Sequence, residues 1–328
     1  MTRPAHARPR LLSAHRRTGG WRDYAGILLA LALLLLVFGL GTRHFFGAAN
    51  FRTIANQIPS ALLVATGMTY ILILGQIDLS VGSVLAFSGA ILGLILDRFH
   101  APLPVAVAAA LLTGLVCGGF NAFVTLRWSL PSFIVTLGTL EMARGAAHAV
   151  TGSQTLYLGS RVEAVAEAHL LGFSLPFLFA FGVVVVAQLV LTRTIFGRHV
   201  VAIGTNPEAA RLSGIDVRRV QAAVFAGTGA LVALAAIIDT SRFQSANPNA
   251  GLGIELHAIA AAVIGGTSLL GGRGSVTGTL LGVLVIAVLN SGLAAVGARE
   301  ELKRLITGAV IIAAVVADLY RHRRPQAR

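Results

Sequence analysis

Long uninterrupted runs of apolar residues recur along this chain, and they restrict its fold more than any other feature. One run lies within Tyr24–Gly41 and another within Val276–Val296. Such runs approach the length needed to cross a hydrocarbon core about 30 Å thick, which takes roughly 20 residues of α-helix. Strands of a membrane barrel would alternate apolar and polar residues, whereas these runs are apolar throughout. Because a backbone in lipid must satisfy its own hydrogen bonds, the runs predict membrane-spanning helices.

The scarcity of charge supports the same fold class. Only 12% of the 328 residues are charged and 55% are hydrophobic, whereas a soluble domain carries about 25% charged residues. A water-soluble globule does not hide that much apolar surface. The sequence therefore predicts an all-α polytopic membrane protein of about ten transmembrane helices, some of them discontinuous. The predicted spans are Tyr24–Gly41, Ile58–Leu74, Val81–Leu96, Pro104–Leu126, Ser132–Val150, Gly172–Thr192, Val220–Ile238, Leu256–Leu270, Val276–Val296 and Leu302–Tyr320.

Glycines interrupt some of these spans. Gly75 and Gly82 flank a break after the second span, and the pairs Gly265-Gly266 and Gly271-Gly272 fall in and after the eighth. Breaks of this kind are tolerated at membrane depth only where protein or a water-filled cavity satisfies the freed backbone. Small-residue spacings also allow close helix contact, and we favour packing within one chain over a subunit interface. They are Gly114-x-x-x-Gly118 and Gly274-x-x-x-Gly278-x-x-x-Gly282.

The arginines predict the orientation in the membrane. The formal net charge is +13, but most basic residues lie between or outside the apolar runs, so we do not expect nucleic-acid binding. An even number of spans places both tails on one side. That side carries about twice as many basic residues as the other, which predicts cytoplasmic tails. The predicted organisation is a cytoplasmic tail at residues 1–22, a membrane domain at 23–320 and a second cytoplasmic tail at 321–328.

A polar, arginine-bearing island at Gly197–Gly214 lies between the apolar segments Phe173–Thr192 and Val220–Ile238. It belongs to a predicted cytoplasmic loop at about residues 193–219. Water or a partner must hold a polar segment of this size in so apolar a chain. Within it stands the pattern Glu208-Ala209-Ala210-x-x-x-Gly214, typical of a short helix start followed by a glycine stop.

Asp78 places a carboxylate in a membrane-depth segment, Ile77–Ser83. An isolated charge there costs at least about 2.5–3.5 kcal/mol on insertion scales. Two compatible interpretations offset that cost. The carboxylate caps a new helix by accepting N–H hydrogen bonds, or it lines a substrate path.

Two further polar groups lie near the predicted membrane edges. Glu141 and Arg144 are three residues apart on one helix face, which favours a structural ion pair over a proton relay. The loop Asp239–Glu255 has an Asn247-Pro248-Asn249 core with strong turn chemistry. This loop is predicted on the extracytoplasmic side, where it either contacts a delivered ligand or serves only as a connection.

The sequence lacks the common catalytic and metal-binding patterns. The histidines show no metal-ligand spacing, and neither H-E-x-x-H nor G-x-S-x-G occurs. Cys117 is the only cysteine, so an intrachain disulfide is excluded. The only lysine, Lys303, follows Leu302 rather than a glycine, so the chain has no phosphate-binding P-loop. We therefore expect no catalytic residue, no metal and no cofactor, and any ATP hydrolysis would occur on a partner.

Four segments in this order resemble the ribose-type permeases of bacterial ABC sugar importers, and they run through most of the chain. They are GQIDLSVGSVLAFSGAILG (Gly75–Gly93), PSFIVTLGTLEMARG (Pro131–Gly145), FGRHVVAIGTNPEAARLSGIDVRRV (Phe196–Val220) and NPNAGLGIELHAIAAAVIGGTSLLGGRGSVTGTLLG (Asn247–Gly282). One departure is Gln76, which stands where the family more often has a small residue.

The resemblance implies a multi-pass subunit of the bacterial inner membrane that forms a homodimer or a close heterodimer. It also implies partner ABC ATPase subunits and a periplasmic sugar-binding protein. The matching positions give two candidate sites, to which we add the two asparagines of the outer loop. The ATPase-coupling residues are Glu208, Ala209, Ala210 and Gly214, and the substrate-path residues are Asp78, Ser80, Gly82, Asn247 and Asn249.

The leading hypothesis is therefore the permease subunit of an ATP-driven importer of a monosaccharide. A branched-chain amino acid permease is the nearest alternative, although a zwitterion favours paired buried charges, which are scarce here. An ion-coupled secondary transporter that uses Asp78 or Glu141 is an alternative from another class. A channel is a weaker one, because no ring of filter residues is present.

Overall fold

The computed structural model describes residues 21–42, 45–167, 169–170 and 173–323. Most of the two predicted tails lies outside these residues. The helices are α1 (Trp21–Gly41), α2 (Ala48–Ile73), α3 (Val81–Asp97), α4 (Leu103–Trp128), α5 (Ser132–Thr151), α6 (Ser160–Glu167), α7 (Leu175–Arg193), α8 (Ile195–Thr205), α9 (Pro207–Leu212), α10 (Val217–Phe243), α11 (Ile254–Ile264), α12 (Val276–Ala295) and α13 (Glu300–Arg323). The strands are β1 (Leu156–Tyr157), β2 (His169–Leu170), β3 (Phe173–Ser174) and β4 (Ser245–Ala246), paired antiparallel as β1–β4 and β2–β3.

A helix occupies the position of every predicted span. Six of the described helices are long and apolar enough to cross a membrane: α1, α2, α4, α7, α10 and α12. The apolar helices α3 and α11 are shorter. The prediction of a polytopic all-α membrane protein is confirmed, whereas ten crossings remain a prediction.

Two helices form the centre of the bundle. The spanning window of α2 is 83% buried, whereas that of α1 is only 6% buried. Helix α10 packs on both α2 and α4. Gly114 and Gly118 of α4 lie against the backbone of Gly229 and Phe225 in α10, where any side chain would collide with a carbonyl group. The predicted close contact between small residues is therefore confirmed, and it lies within the chain.

The two ends of the bundle are distinguished by what they carry. We call the end that bears α8 and α9 the α8–α9 face. Helix α2 ends at this face, where the carbonyl group of its last residue, Ile73, contacts Gly204 of α8. Helix α10 starts there, directly after α9, and runs to the opposite face. At that opposite face Arg242 of α10 donates a hydrogen bond to the carbonyl oxygen of Asn56, in the first part of α2 (3.1 Å).

A non-helical segment, residues 244–253, takes the place of a helical half-span before α11. Ala246 lies against Gly93 of α3, and Gly251 lies against Gly82. The segment therefore follows α3 over eleven residues, or about 16 Å of helix. Helix α11 then continues toward the α8–α9 face and has only 11 residues. This arrangement agrees with the prediction that glycine-rich breaks accompany discontinuous helices.

Candidate functional site

The short helix α9 is held by caps at both ends. The side-chain oxygen of Asn206 accepts a hydrogen bond from the backbone N–H of Ala209 (3.0 Å), and Pro207 fills the first helical position. Both are favoured at helix starts. Gly214 follows the helix with φ of +82°, and its N–H donates to the carbonyl of Arg211 (3.0 Å). Glycine adopts this left-handed conformation without the steric cost of a Cβ.

The outer surface of α9 combines an ion pair with an apolar side chain. Arg211 donates to both carboxylate oxygens of Glu208, at 3.2 and 2.6 Å, and these hydrogen bonds lower the pKa of Glu208. Leu212 is 77% exposed, whereas Ala210 on the other side of the helix is buried at 4% exposure. The predicted residues Glu208 and Ala209 are exposed together with Gly214. The exposed side of α9 therefore offers both charged and apolar groups.

Three chain segments meet where α8 ends, and glycines permit the contact. A Cβ on Gly204 would overlap the carbonyl oxygen of Ile73, at the end of α2. The N–H of Gly272 donates to the same carbonyl oxygen (2.8 Å). Gly75 and Gly271 complete the contact, both with positive φ. We call this cluster of Gly75, Gly204, Gly271 and Gly272 the glycine junction. It connects α8, and through it α9, to the two irregular loops of the bundle.

Asp78 belongs to a buried polar network. Its carboxylate accepts hydrogen bonds from the N–H (2.9 Å) and the hydroxyl (2.6 Å) of Ser80. Ser80 accepts in turn from the amide of Asn121 in α4 (2.9 Å), and Asn121 accepts from Thr139 in α5 (2.6 Å). All four residues are at most 4% exposed. The cost of burying Asp78 is therefore offset by hydrogen bonds, and the carboxylate orders the turn that precedes α3 rather than capping the helix itself.

The backbone of that turn is also held by α5. Ile77 donates its N–H to the hydroxyl of Ser132 (3.0 Å), and Leu79 donates to the hydroxyl of Thr136 (3.1 Å). These residues satisfy N–H groups that no helix satisfies, as backbone at membrane depth requires. The loop between α2 and α3 is thus fixed by side chains of α4 and α5.

The other predicted path residues lie together on the opposite side of α3. A Cβ on Gly82 would meet the carbonyl oxygen of Gly251 and the carboxylate of Glu255, so glycine lets the segment 244–253 approach α3. The side chain of Asn247 accepts a hydrogen bond from the N–H of Asn249 (2.8 Å), which forms the predicted turn. Asn247 and Asn249 are both exposed.

Arg144 has a role that the spacing did not predict. The predicted ion pair with Glu141 is not formed among the described residues. Instead the guanidinium Nη1 donates to the carbonyl oxygens of Pro248 (2.7 Å) and Ala250 (2.8 Å). The carbonyl groups of a non-helical segment need hydrogen-bond donors from elsewhere in the chain, and the guanidinium of Arg144 in α5 supplies them. Helix α5 thus holds both the turn that precedes α3 and the turn at 247–250 that lies beside α3.

Two cavities open in the half of the bundle nearer the opposite face. One is about 280 Å³ and lies between α2, α10, α11 and α12. The other is about 300 Å³ and lies between α3, α10 and the segment 244–253. Asp239 of α10 lines both cavities, and Asn247 lines the second. The cavities make Asp239 a candidate path residue, although the sequence offered only its position at the edge of a polar loop.

The permease component of branched-chain amino acid transport systems is a protein family whose model matches residues 50–315 of this chain. That match covers the whole bundle from α2 into α13, including α9, the glycine junction and the Asp78 network. The chain belongs to this permease family. Its residues described above are therefore those of a transport subunit and not of an enzyme.

Individual relatives of this permease match it almost from end to end. The ribose import permease protein of Haemophilus influenzae is 37% identical over 89% of this chain and 92% of its own length. The fructose import permease protein of Rhizobium meliloti is 34% identical over 89% and 84%. The L-arabinose ABC transporter permease protein of Azospirillum brasilense is 30% identical over 96% and 93%.

Proposed function

We propose that this chain is the membrane permease subunit of an ATP-driven ABC importer that brings a monosaccharide into the cytoplasm. Its similarity to ribose, fructose and L-arabinose permeases over nearly the full length carries the proposal. The family's description names branched-chain amino acid transport, but the relatives reported above are named for sugars. This favours a sugar over the zwitterionic alternative.

The proposed assembly has two permeases, either identical or closely related, in the inner membrane. Each has ten crossings and cytoplasmic termini, with α9 in the cytoplasm. An ATPase subunit binds to each permease, and a periplasmic sugar-binding protein delivers the sugar to the opposite face. Lipid covers the exposed leucines of α1, among them Leu29 and Leu40 at 72% and 83% exposure.

The proposed coupling residues are Glu208, Ala209, Ala210 and Gly214. The ATPase contacts the exposed side of α9, while buried Ala210 holds α9 to the bundle. Closure of the ATPase dimer moves α9, and the backbone contacts of the glycine junction carry the movement to the ends of α2 and of the loop before α12. Because packed backbones do not deform continuously, such a contact transmits displacement as a rigid unit.

The proposed substrate path runs between α3 and its neighbours. Gly82, Asn247 and Asn249 lie on the side of the segment 244–253, and Asp78 and Ser80 form the turn at the start of α3. In the described conformation Asp78 and Ser80 are buried, so we expect them to meet the sugar only when the bundle switches its access. The sugar favours one state of the bundle only through its different affinity for the two.

Reconstitution in liposomes tests the proposal against the alternatives. Vesicles with the permease, its ATPase and its binding protein should take up labelled D-ribose, D-fructose or L-arabinose only when ATP is present on the ATPase side. Vesicles with the permease alone should show no uptake under an imposed proton or sodium gradient. Uptake by the permease alone would establish ion coupling, and uptake of L-leucine without any of the sugars would establish the amino acid alternative.

A further inference from the structure

Asp239 occupies the wall between the two cavities described above. It stands near the end of α10, one turn before Phe243, and it lines the cavity bounded by α11 and α12 as well as the cavity bounded by α3. Its Oδ1 accepts a hydrogen bond from the hydroxyl of Ser60 in α2 (2.6 Å). A carboxylate at such a position is reached from both sides of the helix.

The other carboxylate oxygen of Asp239 has no hydrogen-bond partner within the described part of the chain. The side chain of Gln57, the imidazole of His257 and the amide nitrogen of Asn290 likewise have none there. All four groups line the 280 Å³ cavity. Gln57 and His257 are exposed, whereas Asp239 and Asn290 are partly buried. A small polar ligand that displaces water from the cavity must offer these groups hydrogen bonds, because a polar group without a partner is costly once water leaves.

The walls of this cavity are built from small side chains. Ala61 and Ala65 of α2 face Ala258 and Ala261 of α11 across it. Alanines leave the space open and give it an apolar lining. An apolar lining with a few polar groups is the usual composition of small-molecule sites, and the volume lies at the lower end of their range of about 300–1,000 Å³. The space fits a monosaccharide, whose hydroxyls alternate with C–H faces.

The polar groups of the cavity suit a polyol. Arg242 also lines this cavity beside Asp239. It donates to the carbonyl oxygen of Asn56 (3.1 Å) and lies over the ring of Phe243 (4.3 Å from the ring centroid). The cavity therefore offers one carboxylate together with amides, an imidazole and the guanidinium N–H groups that do not bond to Asn56. A sugar hydroxyl donates well to a carboxylate, in a charge-assisted hydrogen bond.

We propose that Asp239 is a hydroxyl-binding residue for the imported monosaccharide, held between two cavities in the half of the bundle away from α9. This inference rests on the proposed function, and it assigns the sugar a contact on α10 besides the predicted path residues. Ser60 orients the carboxylate through Oδ1, and the free oxygen faces the ligand. A sugar bound there contacts α10 as well as α11 and α12, which form the walls of the cavity.

Protection of a nearby thiol measures this binding without transport. Cys117 is the only cysteine of this chain, so Cys117→Ala provides a cysteine-free permease, which is then assembled with its ATPase, and labelling is read on the permease band alone. Ala61→Cys then places a thiol on the cavity wall, and Tyr157→Cys places one on an 83% exposed residue of β1, which does not line either cavity. Both are labelled with a small methanethiosulfonate reagent, with and without D-ribose, D-fructose, L-arabinose or L-leucine at about 50 mM, a concentration suited to millimolar affinity.

One or more of the sugars should slow the labelling of the Ala61→Cys thiol at least threefold and leave the Tyr157→Cys thiol unaffected. Asp239→Asn keeps the size and the Ser60 contact of the side chain but replaces the free acceptor by a donor, so protection should disappear. Asn290→Ala should weaken it as an independent check from α12. The complexes that carry Asp239→Asn or Asn290→Ala should remain monodisperse in detergent, and their sugar uptake should fall at least tenfold.

Equal protection in complexes with and without the Asp239→Asn substitution, or no protection by any sugar, would overturn this inference. Protection by L-leucine alone would overturn it as well. None of these outcomes depends on uptake by the unmodified complex, so ATP-driven sugar uptake would still support the proposed function. Failure of that uptake would refute the proposed function separately.

Discussion

Gly204 of α8 lies directly against the carbonyl oxygen of Ile73, the last residue of α2. Substitution Gly204→Ala places a methyl group on that carbonyl, where backbone rather than a flexible side chain must move. Overpacking of this kind costs about 1–3 kcal/mol. We expect at least a tenfold loss of ATP-driven uptake with the protein still present in the membrane, because α8, which connects α9 to the bundle, no longer packs on the end of α2.

The matched control is Gly227→Ala in α10, since a Cβ there meets no atom within 4 Å. This variant should transport at the normal rate. The measurement is uptake in vesicles normalised to permease content, together with ATP hydrolysis stimulated by the binding protein. Normal uptake by the Gly204 variant would rule out the glycine junction as the link between α9 and the bundle.

Reversal of charge at Glu208 should uncouple the permease from its ATPase. Glu208→Arg removes the partner of Arg211 and places two like charges on the exposed side of α9, so we expect uptake to be lost while membrane level is kept. Glu300→Arg is a close control, because both carboxylates are 65% exposed and both pair with a basic residue three positions later. Full uptake by the Glu208 variant would reject the coupling role.

The same ion pair makes a prediction about pH. Arg211 lowers the pKa of Glu208, and a lowered pKa keeps the carboxylate ionised until the pH falls through that lower value. The pair therefore persists between about pH 6 and pH 8, well above the usual range for glutamate. Because Glu208 stays ionised over this interval, binding of the ATPase to the permease, measured by co-purification, should be the same at both ends of it.

The buried network of Asp78 should be sensitive to loss of a single hydroxyl. Thr139→Val leaves the side-chain oxygen of Asn121 without the donor it has at 2.6 Å, and an unsatisfied buried acceptor costs about 1–3 kcal/mol. Thr113→Val is the control, since that hydroxyl donates only to a carbonyl of its own helix. We expect a lower unfolding temperature in detergent for the first variant and little change for the second. Equal temperatures would contradict the network's structural role.

Neighbouring glycines of α4 offer the sharpest packing test. A Cβ on Gly118 would overlap the carbonyl of Phe225, whereas a Cβ on Gly119 meets nothing within 4 Å. Gly118→Ala should destabilise the protein by about 1–3 kcal/mol. Gly119→Ala should be neutral or stabilise it by up to about 1 kcal/mol through helix propensity. Thermal unfolding followed by circular dichroism distinguishes them, and a reversed order would refute the α4–α10 contact.

Sidedness is testable with two exposed residues from opposite ends of the bundle. In the cysteine-free background, Leu212→Cys lies on α9 and Tyr157→Cys on β1, at 77% and 83% exposure of the native residues. A membrane-impermeant maleimide applied outside intact spheroplasts should label position 157 and not position 212. Labelling of position 212 from outside would place α9 on the wrong side and end the coupling proposal.

The sequence predicted the positions of the apolar helices well, because continuous apolar runs and glycine breaks are local signals, whereas ten crossings remain a prediction. Asn206 and Pro207 cap the start of α9, but they were not singled out from the sequence, although cap chemistry is a local signal. Contacts between distant residues were not readable. Arg144 was paired with Glu141 by helix spacing, but its guanidinium reaches carbonyls about a hundred residues away. The role of Gly204 depends on where α2 ends, and that of Asp239 depends on two cavities that five helices and the segment 244–253 form.

Helix α11 covers only about 16 Å, roughly half of a hydrocarbon core, and the segment before it has no helix at all. A stretch so short and so interrupted is a weak signal for the machinery that releases nascent helices into lipid. We therefore infer that this part of the chain enters the bilayer late, after α3, which it contacts at Gly82 and Gly93, and α5, whose Arg144 donates hydrogen bonds to its carbonyls, are in place. Membrane insertion of the protein is then ordered, and the short helix α11 takes its place after the helices that surround it.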